Sequence, residues 1–286
     1  MTVTLVSGVD ANRKIWRYMT LDKFIHLLDS ETLFFSSLNS FKETDPFEGI
    51  PPVDIIKKIR KIVPISAGLK SALANIEEKA GSLSVAELKA LFAQLPEHIK
   101  LEHQGFRELI IGLFKGYVVN CWHANEYESE AMWKLYGDSH RGVAIQTTVG
   151  KLQEALQSDE KIKIAEVVYS SYEAPSQEVL RLLVTTGLGP VMKRQSYSHE
   201  AEVRAYFLPS SHKVGSDAPE AKSQVVKVSG LNFIDNIVIS PYAGEPYTSA
   251  VKAVAAKYDL NCPVKLSNLL QGFDSLFNLG EHESLF

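Results

Sequence analysis

Apolar and polar residues alternate from residue 200 to residue 207, and this period of two predicts a β-strand. Residues two apart in a strand share a face and lie about 6.5 Å apart. The apolar face carries Ala201, Val203, Ala205 and Phe207, and the polar face carries Glu200, Glu202, Arg204 and Tyr206. The apolar face is typical of a strand that covers a core. The polar face gathers side chains that a polar ligand could contact.

The same patterns predict the order of elements along the chain. Strands are predicted at 15–19, 33–37, 117–122, 142–148, 164–169, 200–208, 225–228 and 234–239, and helices after Thr20, at 130–136 and at 248–258. The pattern is helical from 53 to 116, where Ser84–Glu87 is a capping-box sequence and Pro96 is expected to end a helix. This order predicts an α+β fold with a mixed, mostly antiparallel sheet and flanking helices. We expect a single domain over 1–286, with 53–116 as a helical insertion.

Composition and charge exclude several classes of protein. Thirty Lys and Arg against thirty-four Asp and Glu give a net charge of −4, which argues against broad binding to nucleic acid or to an anionic membrane. Cys121 and Cys262 lack the spacing of a zinc site or a disulfide framework. The start of the chain has no secretion signal, and no apolar run approaches about 18 residues. We therefore expect a cytoplasmic protein without a membrane-spanning segment.

The strongest candidates for chemistry are Glu200 and Glu202. Two neighbouring carboxylates raise each other's pKa unless a cation compensates, and Arg204 is the nearby cation in the sequence. A solvated strand face with an incidental ion pair is the alternative interpretation.

The segment 131–145 supplies a second group of candidates. Trp133 and Tyr136 lie three residues apart on a predicted helix that Gly137 ends, so they could form a stacking wall for a planar ligand or simply pack against the sheet. His140 and Arg141 follow at the entry to the next strand, a common position for ligand contacts.

The first strands add further candidates. Arg17 and Tyr18 lie on the first of them, where a guanidinium could bind an anion in bidentate fashion, and Ser36 and Ser37 end the next. Asp45–Glu48 is better explained by an Asx-type turn before proline than by a metal site. Phosphate-binding glycine loops, HExxH and a nucleophile elbow are absent from the sequence, and we expect no metal.

The chain resembles a large bacterial family of uncharacterised cytoplasmic proteins. The matching residues are Arg17 and Tyr18, Leu33 to Ser37, Ser40 to Phe47, Met132-Trp133-x-x-Tyr136-x-Asp138-x-His140-x-Gly142, and Glu200-x-Glu202-x-Arg204. Lys42–Thr44 lengthens the family's usual loop, and Val203 stands where an aromatic residue is common. The resemblance implies no activity.

The order of elements is also distantly similar to that of ADP-ribosyltransferases. In those enzymes an Arg- or His-bearing strand, a Ser- or Tyr-bearing strand and a late Glu-x-Glu strand follow one another, as Arg17, Ser36 and Ser37, and Glu200-x-Glu202 do here. The similarity implies that NAD is the substrate and that the acceptor is unknown. It also implies roles for residues: Arg17 on the pyrophosphate, Tyr136 or Trp133 on nicotinamide, Glu202 on the ribose and its transition state, and Glu200 on the acceptor.

Two other functions stay open at this point. One is a non-catalytic nucleotide- or anion-binding module of a bacterial defence or toxin system, with Arg17, Arg141 and Arg204 around an anion. The other is a nuclease that holds Mg²⁺ through Asp45, Glu200 and Glu202. The missing lysine after the Glu pair and the acidic net charge count against the nuclease.

Overall fold

The computed structural model describes residues 2–63, 66–79, 84–137, 141–172, 190–213 and 221–271. The helices are α1 (Leu21–Ser30), α2 (Val53–Ile62), α3 (Ala67–Lys79), α4 (Val85–Phe114), α5 (Glu130–Tyr136), α6 (Val149–Ala155) and α7 (Tyr247–Lys257). The strands are β1 (Val3–Leu5), β2 (Lys14–Thr20), β3 (Thr32–Ser37), β4 (Val118–Ala124), β5 (Gly142–Thr148), β6 (Leu156–Gln157), β7 (Ile162–Glu166), β8 (Val168–Ser170), β9 (Met192–Arg194), β10 (Glu202–Phe207), β11 (Gln224–Val228), β12 (Asn236–Ile239) and β13 (Val264–Leu266).

The main sheet branches at β4. Strands β1, β7, β10, β4, β2, β5, β12 and β13 lie side by side in that order, while β3 also pairs with β4 and continues through β11 to β6. Among the described residues the pairs β1–β7, β12–β13 and β8–β9 are parallel and the other pairs are antiparallel. The predicted α+β fold with a mixed, mostly antiparallel sheet and flanking helices is confirmed.

The two faces of the sheet have different surroundings at β10. Val203, Ala205 and Phe207 pack into the main hydrophobic core together with Val118 and Trp122 of β4. Glu202, Arg204 and Tyr206 lie on the opposite face, which we call the site face. All six residues of β10 are buried, because the strand lies between β7 and β4 and is covered on both sides. The alternative of a solvated polar face is therefore wrong.

The predicted strand begins too early by two residues. Glu200 ends a 3₁₀ helix, Gln195–Glu200, and Ala201 follows it with a positive φ of 40°, a conformation that turns the chain into β10. Glu200 is therefore placed by this turn and not by strand alternation.

The helical segment differs from the prediction at Pro96. Helices α2, α3 and α4 fall between β3 and β4, two strands that pair through Ser36 and Val119. The capping box of Ser84 and Glu87 is confirmed, but α4 continues through Pro96 and does not end there. A proline inside a helix costs about 3 kcal/mol. The remaining hydrogen bonds of this 30-residue helix and its packing against α3 offset that cost. Among the helices in the described parts of the chain, none is long and apolar enough to cross a membrane.

Candidate functional site

Five charged side chains meet on the site face and form what we call the acid–lysine cluster: Glu48, Lys193, Glu200, Glu202 and Arg204. The ammonium of Lys193 donates to both Glu200 and Glu202, the latter at 2.8 Å, and lies 3.5 Å from Glu48. Arg204 donates through Nε to Glu202 at 2.5 Å, and its Nη1 lies 2.6 Å from Glu48. None of the five residues is more than 7% exposed. Such charges persist in an interior only when they are paired, as these are.

Separate elements bring the cluster together. Glu202 and Arg204 come from β10, and Lys193 comes from β9, which lies next to β8 in the small sheet. Glu48 follows the turn at Asp45, whose Oδ1 accepts the N–H of Phe47 at 3.2 Å. That bond confirms the predicted Asx-type turn. The same oxygen accepts from Arg194 at 2.7 Å, so the turn is fixed to the end of β9.

The two glutamates have opposite pKa shifts. Burial, with the neighbouring Glu202 carboxylate, raises the pKa of Glu200 to about 7. Burial acts in the same direction on Glu202, but Arg204 and Lys193 outweigh it and hold the pKa of that carboxyl well below its ordinary value. At neutral pH Glu202 is therefore ionised, while Glu200 can both take up and release a proton.

The balance of charges in the cluster also favours proton uptake by Glu200. Three carboxylates face two cations, so the fully ionised cluster carries one negative charge in excess. Protonation of Glu200 removes that excess. Lys115 lies close by, where its ammonium donates to the Pro46 carbonyl at 3.0 Å. Burial lowers the pKa of Lys115 and the charge of Glu48 counters it.

Tyr136 connects the cluster to the surface. Its side chain is 47% exposed, and its hydroxyl donates to Oε1 of Glu200 at 3.1 Å. Burial and the Glu200 charge raise the pKa of Tyr136, so the hydroxyl stays protonated. Tyr197 lies on another side, with its ring 4.9 Å from the Lys193 ammonium. Glu200 is thus the carboxylate of the cluster that a half-exposed side chain contacts directly.

Polar atoms without a hydrogen bond are concentrated around this cluster. In the described parts of the chain, five buried side-chain atoms lack such a partner: Thr20 Oγ1, Asp45 Oδ2, Glu48 Oε1, His123 Nε2 and Arg194 Nε. Of these, Glu48 Oε1 still has an ion-pair contact, with Arg204 Nη1 at 2.6 Å. Four of the five belong to the cluster or to residues that contact it. Buried polar groups are nearly always satisfied in stable proteins, and their local accumulation is typical of functional sites.

Trp133 and Tyr18 were predicted to bind a ligand, but in the structure both residues pack α5 against the sheet. Trp133 has no exposed surface, and its Nε1–H donates to Glu128 at 2.8 Å, so it cannot stack on a ligand in this conformation. The Tyr18 hydroxyl accepts the N–H of Ser129 at the start of α5, and its ring packs edge-on against Trp133. Both residues seat α5 on the sheet and so hold Tyr136 in place.

Arg17 lies on the face opposite to Glu202. It shares that face with Ile15 and Met19, while Trp16 and Tyr18 lie on the site face. Its guanidinium donates to the carbonyls of Cys121 and Phe34 at 3.2 and 3.4 Å. Arg17 and Glu202 therefore lie on opposite faces of the sheet, because alternation along β2 turns Arg17 away.

The two serines are also remote from the cluster. Ser37 lies on the core face, where its Oγ accepts the N–H of Asn39 and caps a short 3₁₀ helix. Ser36 lies on the site face, but it pairs with Val119, and Val119 pairs with Tyr206. Ser36 therefore lies four strand positions away from Glu202.

The segment after α5 contains the last two predicted ligand-binding residues, Arg141 and His140. Arg141 is exposed, and its carbonyl accepts from the Tyr247 hydroxyl at 2.6 Å. The predicted anion pocket of Arg17, Arg141 and Arg204 does not form, because Arg204 is buried in the cluster and Arg17 is on the other face. His140 lies outside the described residues. Gly137 ends α5 as predicted, but with φ of −104° and not in the left-handed conformation.

Sequence reasoning missed Lys193, Glu48 and His123 as members of this site. Lys193 stands in a short buried strand without an alternating pattern, so nothing marks its ammonium as buried. Glu48 had an indirect signal: it directly follows the Ser40 to Phe47 loop, which belongs to the same resemblance as the Glu-x-Glu strand. A separate cavity of about 200 Å³, lined by residues that include Glu31, Asn232 and Cys262, contains no member of the cluster.

Comparison with known proteins concerns the part of the site that lies on α5, β9 and β10. No curated protein matches the chain. The matching segment of the family model contains β9 and most of α5 and β10, and with them every residue of the cluster except Glu48. Residues 132–205 match the family described as "Protein of unknown function (DUF2971)", which confirms that the segment carrying both predicted motifs is that of an uncharacterised protein family.

Proposed function

We propose that the acid–lysine cluster is the catalytic centre of an ADP-ribosyltransferase-like enzyme that cleaves the bond between nicotinamide and ribose in NAD. The observation that carries the proposal is the pair Glu200 and Glu202, two adjacent carboxylates whose surroundings drive their pKa values in opposite directions. Such pairs divide acid–base work and electrostatic work between two groups.

Each carboxylate has a role that fits its surroundings. Glu202 stays ionised, and its negative charge stabilises the positive charge that develops on the ribose as the bond to nicotinamide breaks. Glu200 has a pKa near neutrality, so its ionised form takes the proton from the acceptor nucleophile. The half-exposed ring of Tyr136 packs against the incoming substrate at the edge of the cluster.

The cluster's own charge favours this chemistry over the two alternatives. An anion-binding module needs free cations, but Lys193 and Arg204 are already engaged by three carboxylates. A magnesium-dependent nuclease needs carboxylates that face a common point. The three carboxylates of the cluster do meet, but at the Lys193 ammonium, which fills the position that a metal ion would need. Among the described residues no group of three His, Cys, Asp or Glu could hold a metal ion, and Asp45 is bound to Arg194. The proposal assigns no role to Arg17, Ser36, Ser37 or Trp133.

The test is nicotinamide release from NAD by the purified full-length protein. Glu200→Gln keeps the shape of the side chain and removes the base, so we expect a loss of about 10²-fold or more in kcat. Tyr136→Phe removes one hydrogen bond to Glu200 and is expected to lower kcat by about tenfold.

The matched control is Glu97→Gln, a carboxylate on α4 whose side chain is 68% exposed. It should release nicotinamide at the wild-type rate. Thermal unfolding of each variant separates a catalytic loss from a loss of folded protein. The proposal is rejected if the wild type releases no nicotinamide, or if Glu200→Gln releases it as fast as Glu97→Gln does.

A further inference from the structure

His123 is a buried side chain on the site face that the proposed chemistry does not yet use. It lies on β4 directly opposite Glu202 of β10, and it is 7% exposed. On its other side β2 places Trp16 opposite it, and the ring of Tyr18 approaches edge-on at 6.2 Å. His123 therefore lies between the acid–lysine cluster and the aromatic residues that support α5.

One nitrogen of the ring is fixed and the other has no partner. Nδ1 lies 2.7 Å from the backbone carbonyl of Glu200, and because a carbonyl only accepts, Nδ1 carries the hydrogen. Burial lowers the pKa of His123, so the ring is neutral at neutral pH. Nε2 is then a lone-pair acceptor, and it is a buried atom without a hydrogen bond. An acceptor kept in this state destabilises the protein, and binding of a donor would recover that loss.

We propose that His123 is a substrate-binding residue whose Nε2 accepts a hydrogen bond from a hydroxyl or amide N–H of the substrate beside Glu200 and Glu202. The Nδ1–H bond to the Glu200 backbone links the two residues, so a substrate held by His123 is held at a fixed distance from the Glu200 segment. The inference rests on the proposed function for its probes, the two halves of NAD. ADP-ribose offers hydroxyl donors, and nicotinamide offers an amide donor.

The direct test observes Nε2 by nitrogen NMR of the full-length protein labelled in its histidine rings. The signal that is lost in His123→Asn identifies His123. Addition of ADP-ribose or of nicotinamide should move the Nε2 resonance in the direction of a hydrogen-bonded acceptor, and the probe that moves it identifies the half of NAD that supplies the donor. If neither probe moves the resonance, the proposal for His123 is overturned.

Two variants separate binding from structure. Asparagine at position 123 can still donate to the Glu200 carbonyl but lacks the distal acceptor, whereas glutamine offers an acceptor near Nε2. For His123→Asn we expect KM for NAD to rise about tenfold while kcat changes by about twofold or less, and His123→Gln should recover part of the loss. Equal KM values for wild type and His123→Asn would contradict the inference even if nicotinamide is released. A moved resonance without nicotinamide release would support His123 as a binding residue and reject the catalytic proposal alone.

Discussion

At the scale of single residues, the site depends on how burial and charge divide two glutamates that are neighbours in the sequence. Glu202 receives Arg204 and Lys193 on its two oxygens, whereas Glu200 shares Lys193 and contacts the Tyr136 hydroxyl. The second cation, Arg204, accounts for the difference between the two pKa values, because it stabilises the ionised form of Glu202 only.

The raised pKa of Glu200 predicts how stability depends on pH. Its folded-state pKa of about 7 lies above the ordinary 4.5, so the folded protein binds this proton more tightly than the unfolded chain. The resulting stabilisation is complete below about pH 4.5 and is lost as pH rises through 7. After allowance for solvent screening, we expect this group to lower the free energy of unfolding by about 1–2 kcal/mol between pH 5 and pH 8. Urea unfolding at several pH values measures the change. Glu200→Gln should lack this contribution and Glu97→Gln should keep it, whereas parallel curves for Glu200→Gln and wild type would contradict the shift.

Removal of the central ammonium should make stability fall more steeply as pH rises. In Lys193→Met three carboxylates face Arg204 alone, and breaking a buried ion pair from one side costs about 3–5 kcal/mol. We expect the full cost at pH 8 and a smaller one at pH 5.5, where Glu200 is protonated. The control is Lys57→Met on α2, whose side chain is 70% exposed and which should change stability by less than about 0.5 kcal/mol. A cost for Lys193→Met that does not depend on pH would show that Glu200 does not share the excess charge.

At the scale of elements, α5 is held by the close approach of two glycines. A Cβ added at Gly142 would lie 2.8 Å from Cα of Gly137 and 3.1 Å from the Trp133 ring. Gly137, Gly142 and Trp133 are all buried, so neither the backbone nor the Trp133 ring can shift without moving α5, the helix that carries Tyr136.

Gly142→Ala should therefore displace α5 from its position against the sheet. We expect a loss of about 1–3 kcal/mol from overpacking, a change in the near-ultraviolet circular dichroism of Trp133, and lower nicotinamide release through Tyr136. Gly105→Ala is the matched control, because a Cβ there meets nothing within 4 Å and alanine favours a helix by up to about 1 kcal/mol. A Gly142→Ala protein with wild-type stability would show that the contact is relieved elsewhere.

Elements with a strong local signal were predictable, and those that depend on tertiary contacts were not. The bounds of α5 and β5 follow from apolar periodicity, and the capping box marks the start of α4. Pro96 misled the prediction because a local rule was overridden by the rest of a long helix. The start of β10 was missed for a similar reason: the alternation continues through Ala201, but its positive φ breaks the strand.

At the scale of the whole molecule, the branching of the sheet at β4 determines which of the predicted site residues lie close together. Alternation assigned Glu202 and Arg204 to one face correctly, since it needs only the strand itself. It could not place Arg17, because the face of β2 depends on how that strand pairs with β4. Lys193 and Glu48 reach the cluster from elements far apart in sequence, which no pattern within one strand encodes.

The same branch gives Arg17 a role of its own. β2 and β3 pair with the same edge of β4, one at Ile15 and Trp16 and the other at Ser36 and Ser37. Between these pairings the strands diverge, and carbonyls that a continuous ladder would satisfy need other donors. Arg17 donates to the carbonyl of Cys121 on β4 and to that of Phe34 on β3, so its guanidinium bridges the branch.

Arg17→Met should therefore destabilise the fold and leave the chemistry intact. Two backbone carbonyls lose a charged donor, and we expect a loss of about 1–3 kcal/mol in the free energy of unfolding. Because Arg17 lies on the face opposite to Glu202, KM for NAD should equal the wild-type value as long as the protein is folded. Arg107→Met, at an exposed position of α4, controls for the loss of one positive charge. The decisive measurement is a pair of numbers from one preparation, the urea midpoint and KM. A lowered urea midpoint with an unchanged KM would show that Arg17 stabilises the sheet. An unchanged midpoint with a raised KM would show instead that Arg17 binds the substrate, and would require that the substrate reach both faces of the sheet.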